Sequence, residues 1–507
     1  MIKGKKHATQ EQNSAASSAL SLTEIISALS FALDLTEGAV PGHAMRSCLL
    51  GMRLADEIGH ADSVRVDLHP ALLLKDVGCS SNAARMCQIV GGDDRAIKAA
   101  VKFEDWTQPH KASLAMMRTM WKTALPGAGP IRKIIRIFRI GATQHVNNEA
   151  MIQLRCDRGA SIMRKIGMSE QVAAAVHSLD EHWDGSGYPQ GIKGHAISPL
   201  ARIMAVAQHL DAFALDRGAE KAMQVLRERS GRWFDPEIVK AAESLHRRNR
   251  LWQDCLPEGT DAAAMEQRTR AAVLESAPGE SADLSPSHID TICEAFAEVV
   301  DAKSPFTFRH SIGVTDAARL IGTAMGLSPE RLQFLNRAAL LHDLGKLRVP
   351  NSILDKPGKL TDEERTLMQE HSGITRLILG RIKPFKELAQ IAGAHHEKLD
   401  GTGYPEHLVA MDLPLEARIL AVADIYGALT EDRPYRAGFP IEKVLAIMSP
   451  DAPRKLDGDC FDALCSVVEN GSPAAPSPHP EDVNSPPSSA DRTSSGLLPQ
   501  SPELSHV

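Results

Sequence analysis

The chain has 507 residues, with 57 Lys and Arg against 64 Asp and Glu, which gives a formal charge of −7 with His neutral. A 43% apolar share beside 24% charged residues is ordinary globular composition and excludes a fibrous repeat, a chain disordered throughout and a bundle of membrane spans. The acid excess argues against a nucleic acid polymer as partner, because phosphate backbones attract basic faces; a small anionic substrate stays compatible.

In chain order, residues 1–18 are small and polar and read as a disordered N-terminus without the apolar core of a signal peptide. No run approaches the roughly 20 apolar residues of a spanning helix, so no membrane span is expected and the cytoplasm is the expected location. Residues 19–255 form a first block, 256–286 a flexible linker rich in Pro, Gly, Glu and Ala, 287–469 a second block, and 470–507 a disordered Ser- and Pro-rich tail. Apolar positions recur at three- and four-residue spacing in 44–58, 312–325, 367–379 and 417–429, so both blocks read as all-α. Alternating strand patterns are lacking and aromatics are only 4% of the chain, which disfavours a β-rich body. Eight cysteines without a CxxC pair give no disulfide framework or thiolate zinc site, and Cys460 and Cys465 read as packed thiols. His182, His209 and His407 read as ordinary satisfied histidines. Arg132, Lys133, Arg136 and Arg139, interleaved with Ile and Phe, have the pattern of a membrane-surface helix but are read as the solvated face of an ordinary one.

The two blocks are copies. WDGSGYPQGIKGHAISPLARIMAVAQ at 183–208 repeats as LDGTGYPEHLVAMDLPLEARILAVAD at 399–424, with an offset of 404 − 188 = 216. Upstream, LLLKDVG at 72–78 matches ALLHDLG at 339–345, with an offset of 343 − 76 = 267. The first copy therefore carries 267 − 216 = 51 additional residues, placed within 80–150.

The second copy concentrates His310, His342, Asp343, His371, His395, His396 and Asp424 within or at the ends of its helical stretches. Five imidazoles and two carboxylates exceed the needs of one tetrahedral ion and suit two octahedral ions sharing a bridging carboxylate. Helical neighbours diverge by about 100°. His342 can therefore hold one ion while Asp343 reaches between two, and His395 and His396 approach a second ion from different directions.

HDLGK, EHSG, HHEKLDGTGYP and AVADIY, in this order over 305–465, resemble the HD-GYP branch of the HD superfamily of metal-dependent phosphohydrolases. With the duplication, the resemblance implies two tandem HD-type helical domains, a two- or three-metal centre often containing iron or manganese, and hydrolysis of cyclic di-GMP to pGpG, with GMP left open as a further product. It implies that Asp343 bridges the ions, that His310, His342 and Asp424 complete one site, and that His371, His395 and His396 complete the other. Lys346 would face the phosphate and neutralise developing charge beside the catalytic Asp343. Arg433 and Arg436 would clamp phosphate or guanine. Tyr404, in a loop that Gly401 and Gly403 allow to turn tightly, would stack on a base or fix the loop. Two departures stand out: Phe306 replaces a carboxylate found in three-metal members, so two ions are expected, and Gly427 replaces an acid three residues after Asp424. Another cyclic dinucleotide or nucleotide as substrate, and a non-catalytic scaffold acting through its GYP surfaces, remain as alternatives.

In the first copy His43 and Asp76 survive, but His342 becomes Lys75, His371 becomes Arg155, His395 and His396 become Leu179 and Asp180, and Asp424 becomes Gln208. That half is expected to bind no metal pair and to serve regulation or dimerisation, with a homodimer or a signalling protein as partner.

Overall fold

A computed structural model of the chain describes residues 20–105, 114–125, 128–256, 261–279, 284–307, 309–432 and 436–470. The expected tails lie outside the described residues, apart from Asn470. The described residues are helical, with two isolated bridges and no strand.

The first half comprises α1 (Leu22–Thr36), α2 (His43–Ile58), α3 (Asp62–Leu73), α4 (Ala83–Val90), α5 (Asp94–Val101), α6 (Leu114–Thr123), α7 (Pro130–Lys165), α8 (Glu170–His177), α9 (Pro199–Arg217), α10 (Ala219–Arg229) and α11 (Pro236–Arg247). After α12 (Ala262–Glu275), the second half runs through α13 (Pro286–Asp301), α14 (His310–Ala324), α15 (Pro329–Leu341), α16 (Asn351–Leu354), α17 (Asp362–Leu379), α18 (Lys386–Gly393), α19 (Leu415–Thr430), α20 (Ile441–Met448) and α21 (Gly458–Glu469). Starts are written locally. Ser21, Ser169, Ser285 and Ser328 cap α1, α8, α13 and α15 through their hydroxyls, and Thr361 with Glu364 forms a capping box on α17. The additional residues of the first copy are α4, α5, α6 and the beginning of α7, where the second copy has only the short α16 before α17.

Helix α2 packs on α9 and α3, and α14 packs likewise on α19 and α15. Both α2 and α14 begin with the histidine shared by the copies, after a residue in left-handed conformation: Gly42 (φ 86°) in the first half, Arg309 (φ 68°) in the second. A non-glycine residue there costs about 1 kcal/mol, a strain located beside His310. Buried carboxylates brace both starts. Asp34 accepts from Gly42 N and Ala44 N, and Asp301 from the Ser311 amide and hydroxyl.

The halves share one continuous apolar core. Their contact is reciprocal: α1 packs on the 344–348 turn and on α17, while α13 packs on the 79–82 turn and on α7. Polar ties follow the same seam, with Asn351 N donating to Asp94 Oδ1 at 3.0 Å and Lys165 Nζ 2.6 Å from Glu298. The segment expected as a flexible linker contains α12, which packs on α1 and α2. Its Glu266 pairs with Arg381, and Arg270 donates to the Arg381 carbonyl. Its Pro, Gly, Glu and Ala content reads as a linker, but Met265, Thr269 and Val273 recur every four residues and are buried.

Candidate metal centre

Each ligand candidate reaches one buried point from a different element. His310 opens α14; His342 ends α15 and Asp343 begins the turn after it; His371 lies within α17; His395 and His396 follow α18; Asp424 lies within α19. Both adjacent pairs sit in turns at helix ends, and their members point apart. Asp343 is central. Its Oδ2 lies 3.6 Å from His310 Nε2 and 3.4 Å from His342 Nε2, while its Oδ1 lies 3.4 Å from His371 Nε2 and 3.9 Å from His395 Nε2. Asp424 spans similarly, with Oδ1 3.3 Å from His310 Nε2 and Oδ2 3.8 Å from His396 Nδ1. One carboxylate thus faces two imidazole clusters, one with each oxygen.

Second contacts set the tautomers. The Nδ1 atoms of His342, His371 and His395 lie 2.6–2.7 Å from the carbonyls of Ala339, Met368 and Ala392, so Nδ1 donates and the Nε2 lone pair points inward. His310 Nδ1 is held 2.8 Å from Glu431 Oε2. Burial pushes the imidazole of His371 down to about 4 and that of His396 to about 3, so both are neutral at pH 7. Burial opposes ionisation of Asp343, yet His342, Lys346 and His371 hold its carboxyl well below the usual range.

These groups fit cations. With Nδ1 donating, the Nε2 lone pairs of His371 and His395 face each other at 3.1 Å, a repulsive contact that a cation between them removes. His342 Nε2 and Asp343 Oδ1 are buried and make no hydrogen bond among the described residues. Neutral imidazoles and carboxylates are the donor set of iron, manganese and zinc.

Lys346 Nζ lies 2.5 Å from Asp343 Oδ2, at the edge of the centre. The Tyr404 ring packs 4.7 Å from His396, and its amide donates to the His396 carbonyl. Gly403 permits this closeness, since a Cβ there would fall 2.4 Å from Glu397 Cα. Glu397, missed in the sequence, ties the loop by accepting from Glu406 N and Leu408 N. The Arg436 guanidinium donates to the carbonyls of Ala428, Leu429 and Glu431 at the end of α19, which anchors the turn after that helix. Arg433 lies outside the described residues.

Glu431 was also missed. In the first half the partner of the shared histidine is Asp211, 2.6 Å from His43 Nδ1, at the position equivalent to Gly427. In the second half Gly427 packs closely on Val314, and the acid comes from one helical turn later. The signal was an acid four residues beyond the missing one.

The first half fills the equivalent space with cations. Lys75 is buried against Asp76, and Arg155 pairs with Asp180. The insertion adds two more: Lys98 and Lys102 lie 3.4 and 3.5 Å from the two oxygens of Glu37. Glu37, Asp76 and Cys79 approach closely enough to ligate an ion, but these ammonium groups already neutralise the acids. The GYP-like loop persists in the same form, with Tyr188 N donating to the Asp180 carbonyl and Glu181 accepting from Gln190 N.

A family model described as HD domain matches residues 96–238 and 294–460. The 3'3'-cGAMP-specific phosphodiesterase 3 of Vibrio cholerae serotype O1 is 40% identical over 452 residues, covering 89% of this chain and 95% of that protein. The cyclic di-GMP phosphodiesterase response regulator RpfG of Xanthomonas campestris pv. campestris is 37% identical over 205 residues, covering 40% of this chain and 52% of that protein. A crystal structure of a cyclic GMP-AMP specific phosphodiesterase of V. cholerae, V-cGAP3, superposes with a TM-score of 0.61 at 36% identity, covering 89% of this chain and 98% of that one. With matches in both halves and an alignment that runs through the intact and the dismantled centre alike, the chain belongs to the HD domain family, in its HD-GYP branch.

Proposed function

We propose that the second half hydrolyses a 3'3'-linked cyclic dinucleotide and that the first half carries no catalysis. The observation that carries this reading is the Asp343 carboxylate between two clusters of inward-facing imidazoles. His310, His342, Asp343 and Asp424 would hold one cation, and His371, His395, His396 and Asp343 the other. Two divalent cations there supply Lewis acidity to the scissile phosphodiester and its nucleophile. The chain's own groups do the rest. Lys346, beside Asp343, offsets negative charge on the substrate phosphate. Glu431 orients His310, and Tyr404 walls the centre beside His396.

The relative aligned through both halves is named for 3'3'-cGAMP, which favours that substrate over the cyclic di-GMP expected from the sequence. Cyclic di-GMP stays as the second reading, since relatives aligned over 40% and 27% of the chain are named for it. Full-length protein loaded with iron or manganese, assayed with 3'3'-cGAMP, cyclic di-GMP and cyclic mononucleotides, tests both. A higher kcat/KM for 3'3'-cGAMP is expected. Protein with two bound ions and no turnover of any cyclic dinucleotide would sink the catalytic reading.

A further inference from the structure

Beyond Lys98 and Lys102, the described residues of the first half's insertion show no contact with either centre. From Asp76 to Arg155 the first half uses 79 residues where Asp343 to His371 takes 28, so the second half has no counterpart. Residues 106–148 contain seven Lys and Arg and no Asp or Glu, in a chain with a net charge of −7. Within this stretch α6 and the start of α7 pack on α4 and α5 through a small core of their own, with Ile137 and Met120 against Val90, Ile97 and Ala124.

With Ile137 turned inward, other apolar residues of α7 face out. Ile131 is 72% exposed, Ile134 57%, Ile135 48% and Phe138 77%; their spacing of three, four and seven residues makes one stripe. On α6, Met117 and Trp121 are exposed one turn apart. Lys133 joins the helices, donating to the Trp121 carbonyl at 3.0 Å. Exposed Arg118, Lys122, Arg132 and Arg139 alternate with these apolar residues. Single exposed apolar side chains are normal, but six large ones on two adjoining helices are not the merely solvated face expected from the sequence.

We propose that this face docks on an anionic lipid surface, lying among the headgroups. An apolar stripe flanked by Lys and Arg is the chemistry of interfacial helices, and an acid-free segment is drawn to a negatively charged leaflet. No helix of the described residues is long and apolar enough to cross a membrane, which limits the contact to the surface. A second copy would set the same positive excess against itself.

The test is co-sedimentation of the full chain with phosphatidylcholine vesicles with and without phosphatidylglycerol. Binding is expected to be about tenfold or more stronger with the anionic lipid and to weaken with salt. The pair Ile134→Ser and Phe138→Ser, and separately Lys122→Glu with Arg132→Glu, should each lower binding about tenfold while turnover and helicity stay unchanged. No binding, equal binding to both vesicles, or full binding by both variants overturns the proposal. So does a dimer that the apolar variant converts to monomer, which assigns the face to a second copy, or retention on an acidic polypeptide without vesicle binding, which assigns it to an acidic protein.

Discussion

Asp343 lies between imidazoles; its counterpart Asp76 lies against Lys75, with Lys102 and Arg155 close by. The scaffold around both carboxylates is the same, down to the left-handed residue before the shared histidine and the buried acid bracing the helix start. What this packing needs at its centre is compensation for buried negative charge. An isolated buried carboxylate costs several kcal/mol, and side-chain cations can offset it as metal ions do. The GYP loop survives in both halves because it is held by main-chain bonds and by Glu181 or Glu397, none of which depends on an ion. The first half therefore has the same fold without that imidazole set, and packs reciprocally against the second.

The strongest break in this comparison is Asp343→Ala. Hydrolysis should fall by about three orders of magnitude or more, with far-UV circular dichroism largely unchanged; turnover within tenfold of the parent protein would contradict the assigned mechanism. Lys75→Ala should do the converse. Asp76 loses its nearest cation, and the chain should lose about 3–5 kcal/mol in urea unfolding while kcat/KM at the distant centre holds. A milder change is expected at the acid that moved by one turn. Glu431→Ala should weaken metal binding about 10- to 100-fold in chelator competition, and Glu431→Gln, which keeps an acceptor for His310 Nδ1, should recover much of it.

The smallest effect concerns pH. Burial would raise the carboxyl of Glu37, but Lys98 and Lys102 outweigh it and bring it from 4.5 down to about 2. A carboxyl depressed on folding stabilises above its unfolded value, and that contribution is lost as pH falls from about 4.5 toward 2. Urea midpoints at pH 5 and pH 3 should converge for Glu37→Gln relative to the parent chain.

The all-helical class, the duplication and the seven His and Asp positions that the fold gathers were legible in the sequence, because helical periodicity is local and because the HD, HHE and GYP landmarks keep their order along the chain. The spacing could not say that both adjacent ligand pairs leave helix ends, nor that Arg436 would be taken up by the carbonyls of α19. Residues 256–286 misled for the same reason, since α12 is stabilised by partners on α1, α2 and Arg381 that lie far away in sequence.

Residue identity alone determined which half carries the imidazole-rich donor set, since no packing can turn Lys75 or Arg155 into an imidazole. Only the tertiary structure decided what supports that chemistry. Whether Glu431 replaces the acid lost at Gly427, whether Lys98 and Lys102 enter the first centre, and whether Ile131 and Phe138 face solvent all depend on which helices meet and at what rotation. Those relations are made between residues tens to hundreds of positions apart, where local pattern carries no information.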